Sequence, residues 1–534
     1  MKRIINLLIT LVIAAIVYYF TLPAINLNNM GFYIFIFFII ILYAVLNTIS
    51  ISSIEIFKKG KRITSDIPKE LLYSILGCVC VMGLIMIVNF FCSPLFNAKS
   101  YQTRITVNEN GNFKEDIPEV NFNQLPLLDR ASSEVLGDRV MGQMSELVSQ
   151  FNVSNLYTQI NYNDSIIRVT PLEYADAFKW LTNRKNGLTG YITVDSVTGE
   201  SNLVRLEKGM KYSPSALFNE NLMRKLRFEY PTTNFGKVSF EIDNEGNPYY
   251  IISTIKYTAV GLKAKVTGVI IFDPITGESK KYATEDIPTW VDIAYSADLV
   301  IEQVDDWGTY KNGFWNSIFG QKNVVNTTTG YNYLAMNDDI YLYTGITSMV
   351  SDESNLGFIL TNMRTGSTTY YNVPGAEEYS AMYSAQGQVQ DLGYESTFPL
   401  LINLNGEATY LVSLKDSSGL VKMYGFVDVK DYQKVVVTDS SEGIIAAKNN
   451  YLKSFKKEVS DDELVIEEIT IKNINTAIIE GNTYYFIESS DKKYKISISL
   501  SDNLPFAKVG TTLKIGYYET SNSIINVEKI YENA

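Results

Sequence analysis

Apolar and polar positions divide this chain of 534 residues into two unequal parts. Residues Ile4 to Ile54 hold no Asp, Glu, Lys or Arg, and neither does the stretch from Leu71 to Ala98. Crossing ~30 Å of hydrocarbon takes about 20 apolar residues in a helix. Segments at about residues 4–22, 31–50 and 71–91 meet that length, so residues 1–98 are expected to form three transmembrane helices. The first follows Lys2-Arg3 as a signal peptide would, but no small-x-small cleavage site comes after it and a second span follows almost at once. It is therefore read as an uncleaved anchor.

Beyond Lys99 the pattern becomes that of globular material. Residues 99–151 read as a connector and a helix, with Asp129 in capping position before an amphipathic run from Arg130 to Phe151. Asp129-Arg130 and Asp138-Arg139 within it are read as surface ion pairs or a clamp onto the next unit. Residues 152–456 carry an internal repeat. Gly190–Glu200, Gly268–Glu278 and Gly357–Ser367 share G-h-h-h-h-[D/N]-x-x-T-G-[E/S], with h mostly apolar, and Gly425-Phe-Val-Asp-Val-Lys430 opens a fourth copy. This describes a hairpin: an apolar strand ends at Asp or Asn, Thr-Gly makes the turn, and a second strand returns. With helices expected at Leu217–Phe228 and Glu442–Phe455, each unit reads as a small antiparallel sheet with a helix.

Gly246-Asn-Pro248-Tyr-Tyr250 followed by Asp273-Pro-Ile-Thr276-Gly277-Glu278 resembles the PepSY module of exported bacterial proteins. The segment around Asn405-Gly406 lacks the proline and the Thr-Gly turn. The resemblance implies binding, or restraint of secreted peptidases. The whole arrangement is similar to uncharacterised three-span exported membrane proteins of Gram-positive bacteria. Residues 459–534 form a last unit, with strands expected at Val465–Ile471, Tyr484–Glu488, Tyr494–Ser499, Thr512–Tyr518 and Ile524–Ile530 and a turn at Gly481-Asn482. Five short strands suggest a small barrel. The expected fold class is thus a membrane-anchored α+β protein, with PepSY-like repeats and an OB-like or SH3-like C-terminal β-barrel.

Charge adds direction. Residues 1–98 carry a net +4 and the whole chain −12, leaving −16 beyond the spans. Lys2 and Arg3 precede the first span, the link from Pro23 to Met30 is uncharged, and Lys58, Lys59, Lys61, Arg62 and Lys69 sit between the second and third. Basic loops stay in the cytoplasm. The N-terminus and the loop at 51–70 are therefore expected inside, and everything after about residue 98 outside a bacterial plasma membrane. An acidic exterior excludes nucleic acid as a partner.

Candidate chemistry narrows by absence. The chain has no histidine, and Cys78, Cys80 and Cys92 all lie in the third apolar segment. His-based triads, HExxH sites and thiol nucleophiles outside the membrane are excluded. No metal, cofactor or catalytic residue is assigned. The spans carry no internal charge for a proton or ion path, and Asn47 and Asn89 are expected to bond between helices. Acid pairs at Asp338-Asp339, Asp352-Glu353 and Asp461–Glu463 are read as solvated turns. The aromatic segment with Trp307, Tyr310, Phe314, Trp315 and Phe319 is either core or a ligand or partner patch. The expected function is a membrane-anchored extracytoplasmic binding or scaffold protein of the cell envelope without catalysis of its own, with a protein or envelope partner. The alternatives are a carboxylate-based envelope hydrolase or an accessory subunit of a larger membrane complex.

Overall fold

The computed structural model describes residues 2–58, 68–163, 165–348, 351–455, 464–479, 482–501, 503–518 and 523–531. Lys59, Lys61, Arg62, Asp461–Glu463 and Gly481 lie outside the described residues, as do the side chains of Lys58, Asp352 and Glu353. Three helices, Lys2–Thr21, Met30–Lys58 and Lys69–Phe91, contain the apolar windows and are long and apolar enough to cross a membrane. Asn47 does bond between helices, accepting from Asn6 Nδ2 at 2.7 Å. Asn89 instead bonds out of the spans, donating to Val260 O at 2.9 Å and accepting from Val260 N at 3.1 Å. The loop between the first two spans lies on the same region of the body, with Asn26 Nδ2 donating to Thr232 O and Asn29 Nδ2 to Asn234 Oδ1. Arg227 Nε donates to Leu22 O at 3.0 Å, closing the C-terminal end of the first span, where free carbonyls favour a cation.

Among the described residues the body contains five sheets. The first is built on Thr158–Tyr162, Ser165–Tyr174, Leu188–Asp195 and Ser201–Met210, and the second on Asn234–Ile242, Pro248–Tyr257, Ala264–Phe272 and Ser279–Ala283. The third centres on Asn332–Met336, Asp339–Ser348, Ser351–Asn362 and Thr368–Tyr371, and the fourth on Leu400–Leu404, Glu407–Lys415, Val421–Asp428 and Val435–Asp439. Each is an antiparallel run of consecutive strands, with shorter strands added at the edges of the first, third and fourth.

The repeat corresponds to one hairpin. Asp195, Asp273 and Asn362 each accept from the backbone N–H two and three residues on. Gly199, Gly277 and Gly366 then take positive φ and return a hydrogen bond to the Asp or Asn carbonyl. The leading glycine of the first three copies sits at a register shift. A Cβ at Gly190, Gly268 or Gly357 would stand 2.3, 1.9 or 2.1 Å from a carbonyl oxygen of the neighbouring strand.

This topology corrects the PepSY-like reading. The hairpins are the outer halves of four-stranded meanders that pack sheet against sheet, so most of these faces are covered by a neighbouring unit and not by a helix of their own. One core joins the first and second sheets, and another joins the third and fourth with helices Glu378–Gln388 and Ile444–Ser454. Helix Ala297–Thr309 fills a further core against the third sheet. The fourth sheet is tied to the connector before helix Arg130–Gly142 through Ser413 Oγ to Leu127 O at 2.8 Å and Lys415 to Asp129 at 2.7 Å, and Leu128 N of that connector bonds to Ser196 O at the end of a first-sheet strand. The four sheets are thus joined through shared cores and this connector.

The C-terminal barrel is also corrected. Six strands form one open sheet in the order Val465–Thr470, Thr512–Tyr517, Ile524–Tyr531, Lys492–Ser497, Asn482–Ser489, Asn473–Ile479. The two edges do not pair among the described residues. Between them, Ile471 N bonds to Thr511 O and Lys472 N to Glu488 O, so each edge extends onto its own neighbour. The sixth strand, Asn473–Ile479, adds to the five the sequence predicts.

Candidate functional site

Residues from the first four sheets or their approaches line one cavity of about 490 Å³. Its wall includes Thr158 and Gln159 of the first sheet, Ser239 of the second, Tyr333 of the third, and Phe398 just before the fourth. Direct bonds hold these strands together. Phe240 N donates to Thr158 Oγ1 at 3.2 Å, Asn161 Nδ2 to Asp338 Oδ1 at 2.9 Å, and Asn332 Nδ2 to Phe398 O at 3.0 Å.

The cavity's distinctive group is Arg168, a single cation inside the apolar run Ile166–Val169. It is 5% exposed. Nη1 donates to Leu128 O at 2.6 Å and Ser133 Oγ at 3.2 Å, and Nη2 donates to Gln159 Oε1 at 2.6 Å. Among the described residues no carboxylate lies within ion-pair distance of it, unlike Arg104, Arg364 or Lys415. Burial pushes Arg168 down to about 10, and the charge of Asp129 opposes that shift. It stays cationic at neutral pH. Beside it, Gln159 Nε2 and Tyr157 Oη are buried without a hydrogen-bond partner. Buried polar groups of this kind are ordinarily satisfied. A cation and unpartnered polar atoms around a cavity therefore suit an anionic, hydrogen-bonding ligand.

Two carboxylates share this wall. Asp129 caps helix Arg130–Gly142 by accepting from Ser132 N at 2.9 Å. Burial raises its pKa, but hydrogen bonds from Lys415 and Ser132 outweigh that and hold it below the usual value. Glu134, on the next turn, pairs with Arg130 at 2.8 Å. The helix stops at Gly142, short of the expected Phe151, which begins a strand.

Behind the wall lies a second set of acids. Glu241 is fully buried and accepts from Asp292 N at 2.7 Å, Ile293 N at 3.2 Å and Ser239 Oγ at 2.9 Å. Burial pushes it up to about 7. Asp292 accepts from Asn161 N at 2.8 Å, and burial, then the charge of Glu241, holds it well above the carboxylate range. Asp339 is also buried, gripped by Arg364 through bonds of 2.7 and 2.8 Å, which corrects its reading as a solvated turn residue. Its neighbour Asp338 does lie in the turn, at φ 66°.

The aromatic segment divides. Trp307 is buried against the third sheet, and Tyr310 meets Tyr101 with ring centroids 6.1 Å apart. Trp315 and Phe319 are exposed and stacked at 5.9 Å and 13°, and Phe314 meets Trp315 edge-on. None of these five lines the central cavity. The cavity residues were not singled out as a site from the sequence, where the one available signal was an arginine amid isoleucines and valine.

No family model and no curated protein matches the chain. Among solved structures, the Bombyx mori GH32 beta-fructofuranosidase is matched at 12% identity over 73% of this chain and 69% of that one, with a TM-score of 0.21. A Trypanosoma rangeli sialidase is matched at 8% over 70% and 53%, with a TM-score of 0.16. An alpha-L-arabinofuranosidase from Lactobacillus brevis is matched at 7% over 71% and 97%, also at 0.16. At such scores neither substrate nor catalytic residue transfers to this chain. The body is a large assembly of sheets, with Asp129 and Glu134 on the wall of a cavity and Glu241 and Asp292 buried behind it. The expectation of a pure scaffold is corrected by the body itself, whose sheets enclose a cavity lined by carboxylates and a buried cation.

Proposed function

We propose that the chain is a membrane-anchored hydrolase whose body takes an acidic saccharide of the cell envelope into the central cavity. Arg168 carries this reading: a buried cation with no carboxylate partner among the described residues, facing a cavity of about 490 Å³. That volume falls in the range of small-ligand sites. Tyrosine and phenylalanine rings on the wall suit the faces of a sugar. Asp129, kept ionised by Lys415 and Ser132, fits a base, nucleophile or electrostatic stabiliser, and Glu134 supplies the second carboxyl that glycoside hydrolysis uses. The Lys/Arg bias around the spans supports an extracytoplasmic body.

The test uses intact cells displaying the full-length chain and an acidic polysaccharide too large to cross a membrane. The reading expects release of reducing ends outside the cells, with D129N and E134Q each lowering the rate at least about 100-fold. Asparagine remains a good helix cap, and an unchanged melting temperature shows that D129N stays folded without the Lys415 pair. Binding without turnover, or turnover indifferent to both substitutions, would overturn it.

A further inference from the structure

The ends of the spans are continuous with two exposed aromatic patches on the body. At the end of the first span, Tyr19 Oη donates to Asn219 Oδ1 at 2.9 Å, Arg224 stacks over the Tyr19 ring at 4.2 Å, and Phe228 meets the rings of Tyr18 and Tyr19. The next residue back, Phe218, packs on Trp180 at 5.8 Å. Trp180 belongs to helix Ala177–Asn183, whose Phe178 and Leu181, three residues apart and so on one face, are 78% and 57% exposed. Phe218 and Phe228 are exposed beside them.

The second patch starts at the end of the third span. There Tyr101 Oη donates to Cys92 O at 2.9 Å, and Tyr101 meets Tyr310. Three residues beyond Tyr310, Gly313 turns the chain, and the stacked pair Trp315 and Phe319 follows with Ile318, all exposed. Large apolar rings in the open are costly in water unless something covers them. Basic groups accompany the first patch, with Lys179, Arg184 and Arg224 on the same short stretches.

We infer that both patches rest in the headgroup region of the leaflet on the body's side, so that the body lies on the membrane and is not merely suspended from it. The occupant is chosen by continuity: each patch lies within a few residues of a side chain that bonds or stacks on the end of a helix that enters the bilayer. Aromatic side chains with an apolar face, flanked by Lys and Arg, suit the boundary between headgroups and acyl chains. This inference needs only the three spans and is independent of any activity in the cavity.

The test is spin labelling of the full-length chain in nanodiscs of mixed zwitterionic and anionic lipid, with Cys78, Cys80 and Cys92 replaced by alanine. Labels are placed by F178C, by F319C and, as a reference, by F506C. Phe506 is equally exposed, in the short turn Leu504–Phe506 of the C-terminal unit, which meets helix Ile444–Ser454 through Glu528 and Lys453. Membrane-soluble oxygen and a water-soluble nickel chelate compete as relaxing agents. The inference expects labels at 178 and 319 to favour oxygen over nickel several-fold more than the label at 506 does. Nickel access at either site equal to that at 506 would place the patch in water, for a protein or other occupant to cover, and would overturn the inference. Retained thermal stability of each variant shows that it is folded.

Discussion

Arg168 and Glu241 are two answers to one difficulty, an ionisable group taken out of water. Arg168 keeps its charge through hydrogen bonds to a carbonyl, a hydroxyl and an amide. Glu241 has three donors around it and still rises to about 7, so burial wins and the proton is held near neutral pH. The consequence for stability has a definite sign. Below about pH 4.5 the folded and unfolded states both hold the proton, and the stabilisation is fully present. As pH rises from there through about 7, the unfolded state alone has lost it, and stability falls by at most roughly 1.4 kcal/mol per pH unit. Asp292, raised as well, adds to the same trend. The melting temperature should drop between pH 5 and 7.5, and E241Q should flatten the drop. Parallel profiles for wild type and E241Q would refute this. Little of it was legible in the sequence. Asp338 and Asp339 are adjacent, yet only Asp339 is buried, because its partner Arg364 arrives from the next hairpin turn.

Hairpins were legible because their chemistry is local. Asp195, Asp273 and Asn362 bond to their own following backbone, and a glycine four residues on takes the positive φ, so the motif contains its whole explanation. The leading glycine was less transparent, since its role depends on the neighbouring strand. At Gly268 the φ is 147° and a Cβ would meet Tyr282 O at 1.9 Å. At Gly425, in the fourth copy, the nearest atom is the Ala385 side chain at 3.2 Å. G268A should therefore cost about 2–3 kcal/mol in denaturant unfolding, and G425A clearly less. Equal losses would contradict the reading of the first as a backbone collision. Strand Asn473–Ile479 escaped notice because Asn473, Asn475 and Ala477 have weak strand preference.

At the scale of the molecule, the spans announced themselves by length and hydropathy, while the arrangement of sheets did not. A meander of four strands reads the same whether a helix or another sheet covers its face. Which cover is used rests on bonds such as Asn161 to Asp338 and Ser413 to Leu127, separated by 177 and 286 residues. The resemblance to helix-covered modules failed at that step, and the C-terminal strands expected as a closed barrel form one six-stranded sheet whose edge strands do not pair among the described residues. Between the sheets lies the cavity, and on its wall is a buried guanidinium with no carboxylate partner among the described residues. The most direct measurement is kcat/KM of the full-length protein on an acidic envelope oligosaccharide and on its carboxyl-reduced, neutral form, for wild type and R168Q. A hydrogen bond to a charged group contributes about 1.5–3 kcal/mol, which corresponds to a preference of roughly 10- to 100-fold for the acidic form. The account predicts that preference in the wild type and its collapse in R168Q, with the fold retained. Equal rates on the two substrates, or a preference that survives R168Q, would contradict it.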